Sequence, residues 1–484
     1  MSGENALAPP SYARILSDAE IERIYDGAVR VLLNTGFRIQ HPDILKRLEQ
    51  RGARVDYADQ VFWPTREMMR DLEACARRHA GPPPKEPVLR RPLPQGNLIT
   101  YNGTLYYDWT EGIQRPATLE DVEAMLKVCH VLPEVADFGP TVTAQDVPPL
   151  IEPIVSFARG IQITDKPVHR VELVLPGQLP FLEELDSITQ GREVRYNHDG
   201  CAINNFTIDA RATGCLMATW QRNGLERWTT SSCPIAGASA PVTLAGAVVV
   251  GVAETIGAWF AGWVLNEDVT LDAIPCSGVM DMRTTRVLFS TPEAVLIDVG
   301  LFQVLDRVLG VRPGMLADYT DAKVPGMQAM NDKVFKGLAY AWLTGQLNRQ
   351  RGTLEAGKAF SPTQMVIDFD INRELAQLAH GMEVTEETLA LELIEAYGPS
   401  FGQSYIGAEH TFRHFRKVLW YPQLMDRTCW DSPEVERQKE QIMLERAEEK
   451  WRDALAHYKT PDIPEEKLRA AEAVVERARQ ALLV

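Results

Sequence analysis

The 484-residue chain has no paired-cysteine motif, because its seven cysteines are scattered, odd in number and never spaced as Cys-x-x-Cys. This pattern excludes a zinc knuckle and a disulfide framework, and it favours a reducing, cytoplasmic compartment. The start of the chain lacks a basic segment followed by an apolar one, so we expect no signal peptide. Basic residues are outnumbered, with 50 Lys and Arg against 66 Asp and Glu and a formal net charge of −16. We therefore expect no nucleic-acid partner, since phosphates require a basic face.

The sequence motifs of several familiar active sites are also missing. Without Gly-x-Ser-x-Gly, an α/β-hydrolase nucleophile elbow is not indicated. Without Gly-x-Gly-x-x-Gly or a Walker loop, an open nucleotide-binding sheet has no support. His410 and His414 are four residues apart and would share one helix face, but no acidic base adjoins the first of them. We expect a structural or edge-of-site role for this pair, and no metal.

A long apolar run follows a loop of small residues at 235–265, IAGASAPVTLAGAVVVGVAETIGAWFAGWVL. A polar strand end, a small-residue loop and a buried helix are the parts of an active-site loop between a strand and a helix. Two other interpretations stay open. The first is a transmembrane span, which Glu254 opposes because a central carboxylate costs roughly 2.5–3.5 kcal/mol. The second is a buried crossover helix with no catalytic duty. We expect no membrane association.

Periodicity and turn signals divide the chain into segments. A capping box at Ser17–Glu20 opens a first helix, and further helices are predicted at 42–50 and 64–79. An alternating stretch at 98–109 contains Asn102-Gly103, which predicts a β-hairpin. The predicted segments are a flexible tail at 1–16, N-terminal helices and a hairpin at 17–110, a barrel at 111–430 and a C-terminal helical extension at 431–484.

The C-terminal extension is predicted to contain two charged helices, one from Ser432 to about 458 and one from about 465 onward. Their narrow apolar faces predict packing on the barrel or on a second copy of the chain. We therefore expect a homo-oligomer.

Between 118 and 405 a pattern of short strand, loop and helix repeats along the chain. The predicted strands are 136–141, 167–171, 201–205, 228–233, 273–278, 314–319, 352–355 and 400–405. The clearest helices between them are 242–265, 292–308 and 334–347. Eight strands that alternate with helices predict an α/β fold of the TIM type, a (β/α)8 barrel.

In such a barrel the reactive groups lie at the carboxyl ends of the strands. Glu355 ends an apolar strand, and Asp321 shares one loop with Asp318 and Lys323. We predict Glu355 and Asp321 as catalytic residues, and we keep the alternative that these charges only form salt bridges at strand ends. Cysteines also end two strands, but the sequence fixes no base beside them, so a thiol nucleophile is not favoured.

Aromatic residues are frequent at predicted loops and strand ends. Together with the nearby acidic residues they predict a cage for a methylated ammonium group, held by cation–π contacts. The alternative is that each aromatic ring only packs in the hydrophobic core and binds no ligand. The rings predicted to bind substrate are Tyr106, Tyr107, Phe206, Tyr319 and Phe360.

Three segments resemble the trimethylamine methyltransferase family: GASAPVTLAGA at 237–247, TDAKVPGMQA at 320–329 and ETLALELIEAYGPSFGQSYIGAEHTFRHFR at 387–416. The resemblance implies a TIM barrel that moves a methyl group from a methylated amine to the cobalt of a small corrinoid protein. Founding members carry pyrrolysine in the barrel, whereas this chain contains only the standard residues. It therefore resembles the branch without pyrrolysine, whose relatives demethylate quaternary amines such as glycine betaine.

The resemblance implies cobalamin as the cofactor and a corrinoid protein as the partner that carries it. The chain itself has no Asp-x-His-x-x-Gly motif for cobalamin. On this basis His410 and Ser239 are expected to face the corrinoid. Two other functions stay open: a catalytically silent barrel that binds a methylated ammonium ligand, and an unrelated lyase or hydrolase that uses Asp318, Lys323 and Glu355.

Overall fold

The computed structural model describes residues 12–81, 97–99, 103–168, 171–194, 199–203, 205–399 and 404–483. The predicted tail at 1–16 lies mostly outside these residues. The elements of the first half are α1 (Asp18–Thr35), β1 (Phe37–Ile39), α2 (Pro42–Gln50), β2 (Arg54–Asp56), β3 (Val61–Trp63), α3 (Arg66–Arg78), β4 (Asn97–Ile99), β5 (Leu105–Asp108), β6 (Ile113–Pro116), α4 (Leu119–Val131), β7 (Val135–Phe138), α5 (Glu152–Ile163), α6 (Leu179–Gln190), β8 (Asp199–Cys201), β9 (Thr207–Ile208) and α7 (Ala210–Asn223).

The second half continues the mixture of helices and short strands, which confirms the α/β class. Its elements are β10 (Arg227–Ser232), β11 (Ile235–Ala236), α8 (Leu244–Trp263), β12 (Thr270–Pro275), β13 (Gly278–Asp281), β14 (Arg286–Leu288), α9 (Pro292–Leu309), α10 (Met327–Thr344), β15 (Thr353–Leu354), β16 (Ala359–Phe360), α11 (Pro362–His380), α12 (Glu386–Leu389), α13 (Leu391–Tyr397), α14 (Glu409–Val418), α15 (Pro433–Glu436), α16 (Lys439–Ala456) and α17 (Glu465–Leu482).

The parallel pairs among the described strands join strands that are not consecutive in the chain. β8, β10 and β12 are adjacent and parallel, β4 is parallel to β7, and a single parallel bridge joins Phe138 to Val168. The segment at 314–319, a predicted strand, is joined to β12 by the Gly314 amide, which donates to the Ala273 carbonyl at 2.9 Å. It forms no strand, since Pro313 has no amide to extend the ladder. The described strands form five separate sheets, and no closed barrel is present among them.

The predicted hairpin at 98–109 is wrong. β4 pairs with β7, whereas β5 pairs with β6 in an antiparallel hairpin whose turn spans 109–112. Asp108 sets this turn, because its Oδ1 accepts the amides of Thr110 at 3.0 Å and Glu111 at 3.1 Å. Gly112 completes it with a φ of 67°. Asn102, on which the prediction depended, lies outside the described residues.

Other strand and helix predictions change at their ends. The predicted strand 273–278 splits into β12 and β13, and 201–205 ends at Cys201, with Asn204 outside the described residues. Residues 400–403 of the predicted strand 400–405 lie outside as well, and its last residue, Tyr405, begins a 3-10 turn that extends to Gly407. The predicted helix 432–458 is broken into α15 and α16.

The apolar run at 235–265 forms α8 at the centre of the largest core cluster. Of the described residues, this helix is the one long and apolar enough to cross a membrane, but it is packed inside the protein against α1, α9 and β10. Close packing requires Gly262, because a Cβ there would come within 2.5 Å of the Trp228 ring. In this structure α8 is a core helix.

The C-terminal helices cover the outer face of the body. α16 packs on α4 and α11 and buries Ala447 and Trp451, whereas α17 packs on α5 and α6 and buries Val474. Packing on the body is one of the two arrangements predicted from their narrow apolar faces. The boundaries of the predicted segments, including the one at 430/431, stay predictions.

Candidate active site

Three cysteines lie at the carboxyl ends of three neighbouring parallel strands. Ser231 of β10 is opposite Cys201 of β8. One position beyond the ladder of β10 and β12, the Cys276 amide donates to the Ser232 carbonyl at 3.0 Å. Cys233 and Cys276 are therefore neighbours at the ends of adjacent strands. In α/β proteins this edge of a parallel sheet is where ligands bind.

The thiols of Cys201 and Cys276 are protonated at neutral pH. The hydrogen bond with Cys233, followed by burial, raises the pKa of Cys276. Cys201 reaches solvent, yet desolvation by the surrounding protein raises its pKa to about 11. Because the thiolate is the nucleophilic form, neither group is activated. This agrees with the sequence, which fixes no base beside Cys233 or Cys276.

Tyr319 connects the strand ends to a cavity beside them. Its ring packs edge-on against Phe289, with ring centroids 6.0 Å apart and an interplanar angle of 89°. The Lys336 ammonium lies 5.9 Å from the centre of the Tyr319 ring. Burial, followed by the nearby Cys276 and Asp318, raises the pKa of the Tyr319 hydroxyl. Tyr319 is therefore a neutral aromatic group at the edge of the site.

Asp318, the residue before Tyr319, forms an ion pair with Arg351. Its buried carboxylate accepts two hydrogen bonds from Arg351, at 3.1 Å from Nε and 3.0 Å from Nη2. Burial alone would raise the pKa of Asp318, but the charge and hydrogen bonds of Arg351 bring it below its usual value. The Thr353 hydroxyl also donates to the Asp318 carbonyl. Asp318 thus has the salt-bridging role that the sequence left as an alternative.

A cavity of about 450 Å³ lies next to Tyr319 and Phe289. This volume is in the range of small-molecule sites, about 300–1,000 Å³. The cavity brings together Asp321 and Glu355, the two carboxylates predicted from strand ends. It is lined by Ile235, Thr285, Arg286, Val287, Phe289, Asp321, Lys323, Glu355, Ala356 and Lys358.

Glu355 begins a backbone turn of unusual conformation. Glu355, Ala356 and Gly357 have positive φ values of 47°, 55° and 81°. The turn is fixed because the Glu355 amide donates to the Ala322 carbonyl at 2.8 Å and the Ala356 amide to the Thr320 carbonyl at 2.7 Å. Two consecutive non-glycine residues in this region are strained, and such strain gathers at functional sites.

The Glu355 side chain is half-buried in the cavity. Within the described part of the chain, its carboxylate has no hydrogen-bond or ion-pair partner. Gly357 is required at the end of the same turn, because a Cβ there would lie 2.6 Å from the Tyr319 ring. The turn therefore places one unpaired carboxylate beside the aromatic pair of Tyr319 and Phe289.

Asp321 has its carboxylate occupied by the backbone. It accepts the Phe289 amide at 2.9 Å and the Ser290 amide at 2.8 Å, which joins the loop at 318–323 to the end of β14. The neighbouring Lys323 ammonium donates to the Asp321 carbonyl. A carboxylate used in this way positions Phe289 and has little capacity left to act on a ligand.

Three of the predicted substrate-binding rings lie in the hydrophobic core behind the cavity. Tyr106 and Phe360 are neighbours in the β5–β16 pair and are 6% and 0% exposed. The Arg115 guanidinium lies 4.8 Å from the centre of the Tyr106 ring. Tyr107 packs in a small cluster with Ala322 and other residues of the adjoining loops. Among the described residues, these three rings do not line the cavity.

Phe206, Ser239 and His410 lie at separate places. Phe206 has a φ of 50°, and its amide donates to Oε1 of buried Glu254 at 3.4 Å, beside α8. Ser239 accepts the Ile235 amide at 2.9 Å and so fixes the small-residue turn next to the cavity. His410 Nε2 lies 3.1 Å from the Glu387 carbonyl, outside the cavity lining.

Sequence reasoning missed Glu172, Phe289 and Arg351. Glu172 directly follows the predicted strand 167–171. The expectation that reactive groups lie at the carboxyl ends of strands was therefore sufficient to find it. Its side chain reaches solvent, yet desolvation by the surrounding protein raises the pKa of its carboxyl, and it is close enough to influence Cys201. Phe289 has no such signal, because it depends on the β13–β14 hairpin.

No group of three His, Cys, Asp or Glu side chains is arranged to hold a metal ion in the part of the chain that the structure describes. The site consists of a half-buried carboxylate, an aromatic pair, three cationic side chains and neutral thiols at the adjoining strand ends. These groups can bind and orient a charged small molecule. They include no activated nucleophile of their own.

Comparisons with known proteins extend this picture. A sequence model of the family described as trimethylamine methyltransferase (MTTB) matches residues 5–482. A trimethylamine methyltransferase MttB from Desulfitobacterium hafniense is 23% identical over 471 residues, which cover 95% of this chain and 93% of the relative. A glycine betaine methyltransferase from the same species is 23% identical over 475 residues, covering 94% and 95%. A trimethylamine methyltransferase MttB from Methanosarcina barkeri is 29% identical over 257 residues, covering 52% and 49%.

The fold and site define an α/β protein that gathers polar and aromatic side chains at the carboxyl ends of parallel strands. Because the family model covers nearly the whole chain, this protein belongs to the trimethylamine methyltransferase family. The resemblance seen in three sequence segments is confirmed.

Proposed function

We propose that this protein transfers a methyl group from a quaternary amine, glycine betaine or a related betaine, to the cob(I)alamin of a partner corrinoid protein. The observation that carries the proposal is the cavity that combines the unpaired Glu355 carboxylate with the Phe289 ring and several cations. Membership of a methyltransferase family, with a glycine betaine methyltransferase among its relatives, supports it.

The charges of the cavity favour a zwitterion over a simple amine. Arg286, Lys323 and Lys358 line it, whereas Glu355 is the one lining carboxylate not already occupied by backbone amides among the described residues. A betaine carries a carboxylate for the cationic side and a methylated ammonium for Glu355 and Phe289. Cation–π contacts contribute roughly 0.5–2 kcal/mol per ring.

The reaction requires positioning more than proton transfer. The C–N bond breaks, its electron pair stays on nitrogen, and the leaving group is a neutral tertiary amine, so no acid or base is required. The cobalamin of the partner protein supplies the nucleophile that accepts the methyl group. The residues of this chain hold the ammonium in line for transfer. Arg286, Lys323 and Lys358 are exposed, so the cavity is open to an acceptor carried by another protein.

We further propose that the parallel segments belong to one TIM-type barrel with the cavity at its carboxyl-terminal end. The ordered packing of helices supports this arrangement. α8 packs on α9, α9 on α10, α10 on α11, α11 on α16, α16 on α4 and α4 on α5. A series of helices packed side by side is what the outer layer of a barrel requires.

Methyl transfer to free cob(I)alamin tests the function. The protein is incubated anaerobically with cob(I)alamin and, separately, glycine betaine, proline betaine, carnitine or trimethylamine, and corrinoid methylation is followed by absorbance. We expect transfer from at least one betaine and none from trimethylamine. Transfer from trimethylamine alone would overturn the substrate assignment. Tight binding of betaines without transfer would instead support a silent binding protein.

A further inference from the structure

One segment of the chain is exposed on nearly every residue. We define the arm as residues 381–399 and 404–421, which contain α12, α13 and α14. None of these three helices buries a residue, and Ala408 is the one buried position of the arm among its described residues. The arm leaves the body after α11 and returns where Asp370 accepts the amides of Gln423 and Leu424.

The arm is held together by its own contacts. The rings of Tyr397 and Tyr405 stack with centroids 4.9 Å apart, and the rings of His410 and His414 lie 4.4 Å apart. His414 Nε2 is 3.2 Å from the Glu387 carboxylate. The two ends of the arm therefore form one unit. Yet its helices have 4, 7 and 10 residues, below the roughly 12–15 residues that an isolated helix requires in water.

Large apolar side chains cover this unit. Ile406 is 85% exposed, Met382 82% and Phe412 69%. The others exposed in the arm are Val384, Leu389, Leu391, Ile394, Tyr405, Val418, Leu419 and Tyr421. At on the order of 150–200 Å² for a fully exposed side chain, the set exposes on the order of 1,000 Å². Summed over the arm, this apolar area is comparable to the roughly 800 Å² that each partner buries in a standard interface.

The charges of the arm are divided between its two ends. Residues 381–397 carry five glutamates and no Lys or Arg, whereas α14 carries Arg413, Arg416 and Lys417. Arg413 is 3.6 Å from Glu387 within the arm. In the described chain, the remaining acidic and basic residues near the ends, Glu392, Glu395, Arg416 and Lys417, have no ion-pair partner.

We propose that the arm is the interface with a second copy of this chain, related to the first by a twofold axis. A twofold interface brings the same patch of both copies together, so the acidic end of one arm meets the basic end of the other. A second copy would also keep the apolar side chains of the arm out of water permanently. A corrinoid protein that must come and go would leave about 1,000 Å² of apolar surface in water between encounters, and transient interfaces are smaller and more polar.

Paired charge reversals test this arrangement. Arg416→Glu with Lys417→Glu makes both ends of the arm acidic, and Glu392→Lys with Glu395→Lys makes both basic. We expect the unaltered protein to sediment as a dimer or a multiple of dimers, each variant to dissociate to monomers, and an equimolar mixture of the two to reassemble. Circular dichroism confirms that each variant is folded. The matched control, Arg66→Glu with Arg70→Glu on exposed positions of α3, changes net charge equally and should not alter assembly.

Three results would overturn the proposal. These are a monomeric unaltered protein, variants that assemble as the unaltered protein does, and separate variants that stay monomeric when mixed. Ile406→Asp is an independent check, because an 85% exposed side chain contributes little to the fold of one chain. It should weaken assembly at least tenfold, whereas Trp342→Asp, at a 59% exposed position on α10, should not.

Discussion

At the residue scale, Glu254 combines full burial with a nearly unpartnered carboxyl group. It lies in the middle of α8, its Oε1 accepts the Phe206 amide at 3.4 Å, and Oε2 has no partner. Desolvation raises its pKa to about 7. Glu254 is the residue whose charge argued against a membrane span in the sequence. Inside the protein its carboxyl group is mostly neutral below about pH 7.

This raised pKa makes stability fall as pH rises. The folded protein keeps the Glu254 proton up to about pH 7, whereas the unfolded chain releases it above about pH 4.3. Between these values the folded state binds more protons, so its stability decreases by up to about 3 kcal/mol on going to pH 8. Glu254→Gln should raise the melting temperature at pH 8 and not at pH 4. Exposed Glu22→Gln is the control, and equal effects of both variants would refute the assignment.

Glu355 is predicted to attract the ammonium of the substrate. Glu355→Gln keeps the shape of the side chain and removes its charge, so kcat/KM for the best betaine should fall about tenfold, mainly through KM. Asp321→Asn should act differently, because Asp321 holds Phe289 and Ser290. It should lower the melting temperature as well as the activity. An unchanged kcat/KM in folded Glu355→Gln would remove Glu355 from the site.

Phe289 is predicted to be the ring that faces the substrate, since it lines the cavity and Tyr319 packs behind it. Phe289→Leu keeps the apolar volume but loses the aromatic face, so affinity for a betaine should fall about threefold to thirtyfold, as expected for one cation–π contact. Phe289→Tyr retains the face and should bind within about twofold. Titration calorimetry measures both, and equal binding by both variants would exclude the contact.

The sequence could predict those site residues whose position follows from one local rule. Glu355 and Asp321 were found because they follow predicted strands, and both line the cavity. Phe360 met the same rule and Tyr106 was predicted from the hairpin at 98–109, but both lie in the core, where β5 pairs with β16. Phe289 could not be found, since its place depends on a hairpin and on the hydrogen bonds of Asp321.

At the element scale, α16 shows how a charged helix can still contribute to the core. Trp451 is 5% exposed, and its Nε1 donates to Glu448 at 2.7 Å, while Glu448 also accepts from Thr363 and Arg452. Trp451→Ala should lower the free energy of unfolding by about 3–5 kcal/mol. Trp430→Ala, at a 71% exposed position, is the matched control.

Removal of residues 431–484 should cause a larger loss of stability, because it uncovers the surfaces under both α16 and α17. Thermal melting and sedimentation check this result. A truncated protein with unchanged melting and assembly but no turnover would contradict a purely structural role for these helices.

Helices were more predictable than strands in this chain. The capping box at Ser17 and the proline at the start of α9 fix helix ends by local hydrogen bonds and backbone angles. Strands are only two to six residues long here. Their pairing depends on segments far away in the sequence, as when β1 pairs with β9. The local pattern at 98–109 therefore predicted the wrong hairpin, because β4 pairs with β7 and β5 with β6.

At the scale of the whole molecule, the two proposals concern different surfaces. The cavity at the strand ends is proposed to bind the substrate and to admit a corrinoid protein, whereas the arm is proposed to pack against a second copy. The net charge of −16 opposes association at long range, so assembly should strengthen as salt rises to about 0.15 M and screens that repulsion.

The central claim is that this cavity promotes loss of a methyl group from a betaine. The most direct measurement uses the N-methyl-¹³C form of each betaine with stoichiometric cob(I)alamin, and detects label in the corrinoid and in the demethylated amine by NMR. We expect one labelled methyl group on the corrinoid for each molecule of demethylated tertiary amine formed, with the rate lowered by Glu355→Gln. Binding of the betaines with no label transferred, or label arriving only from trimethylamine, would contradict it.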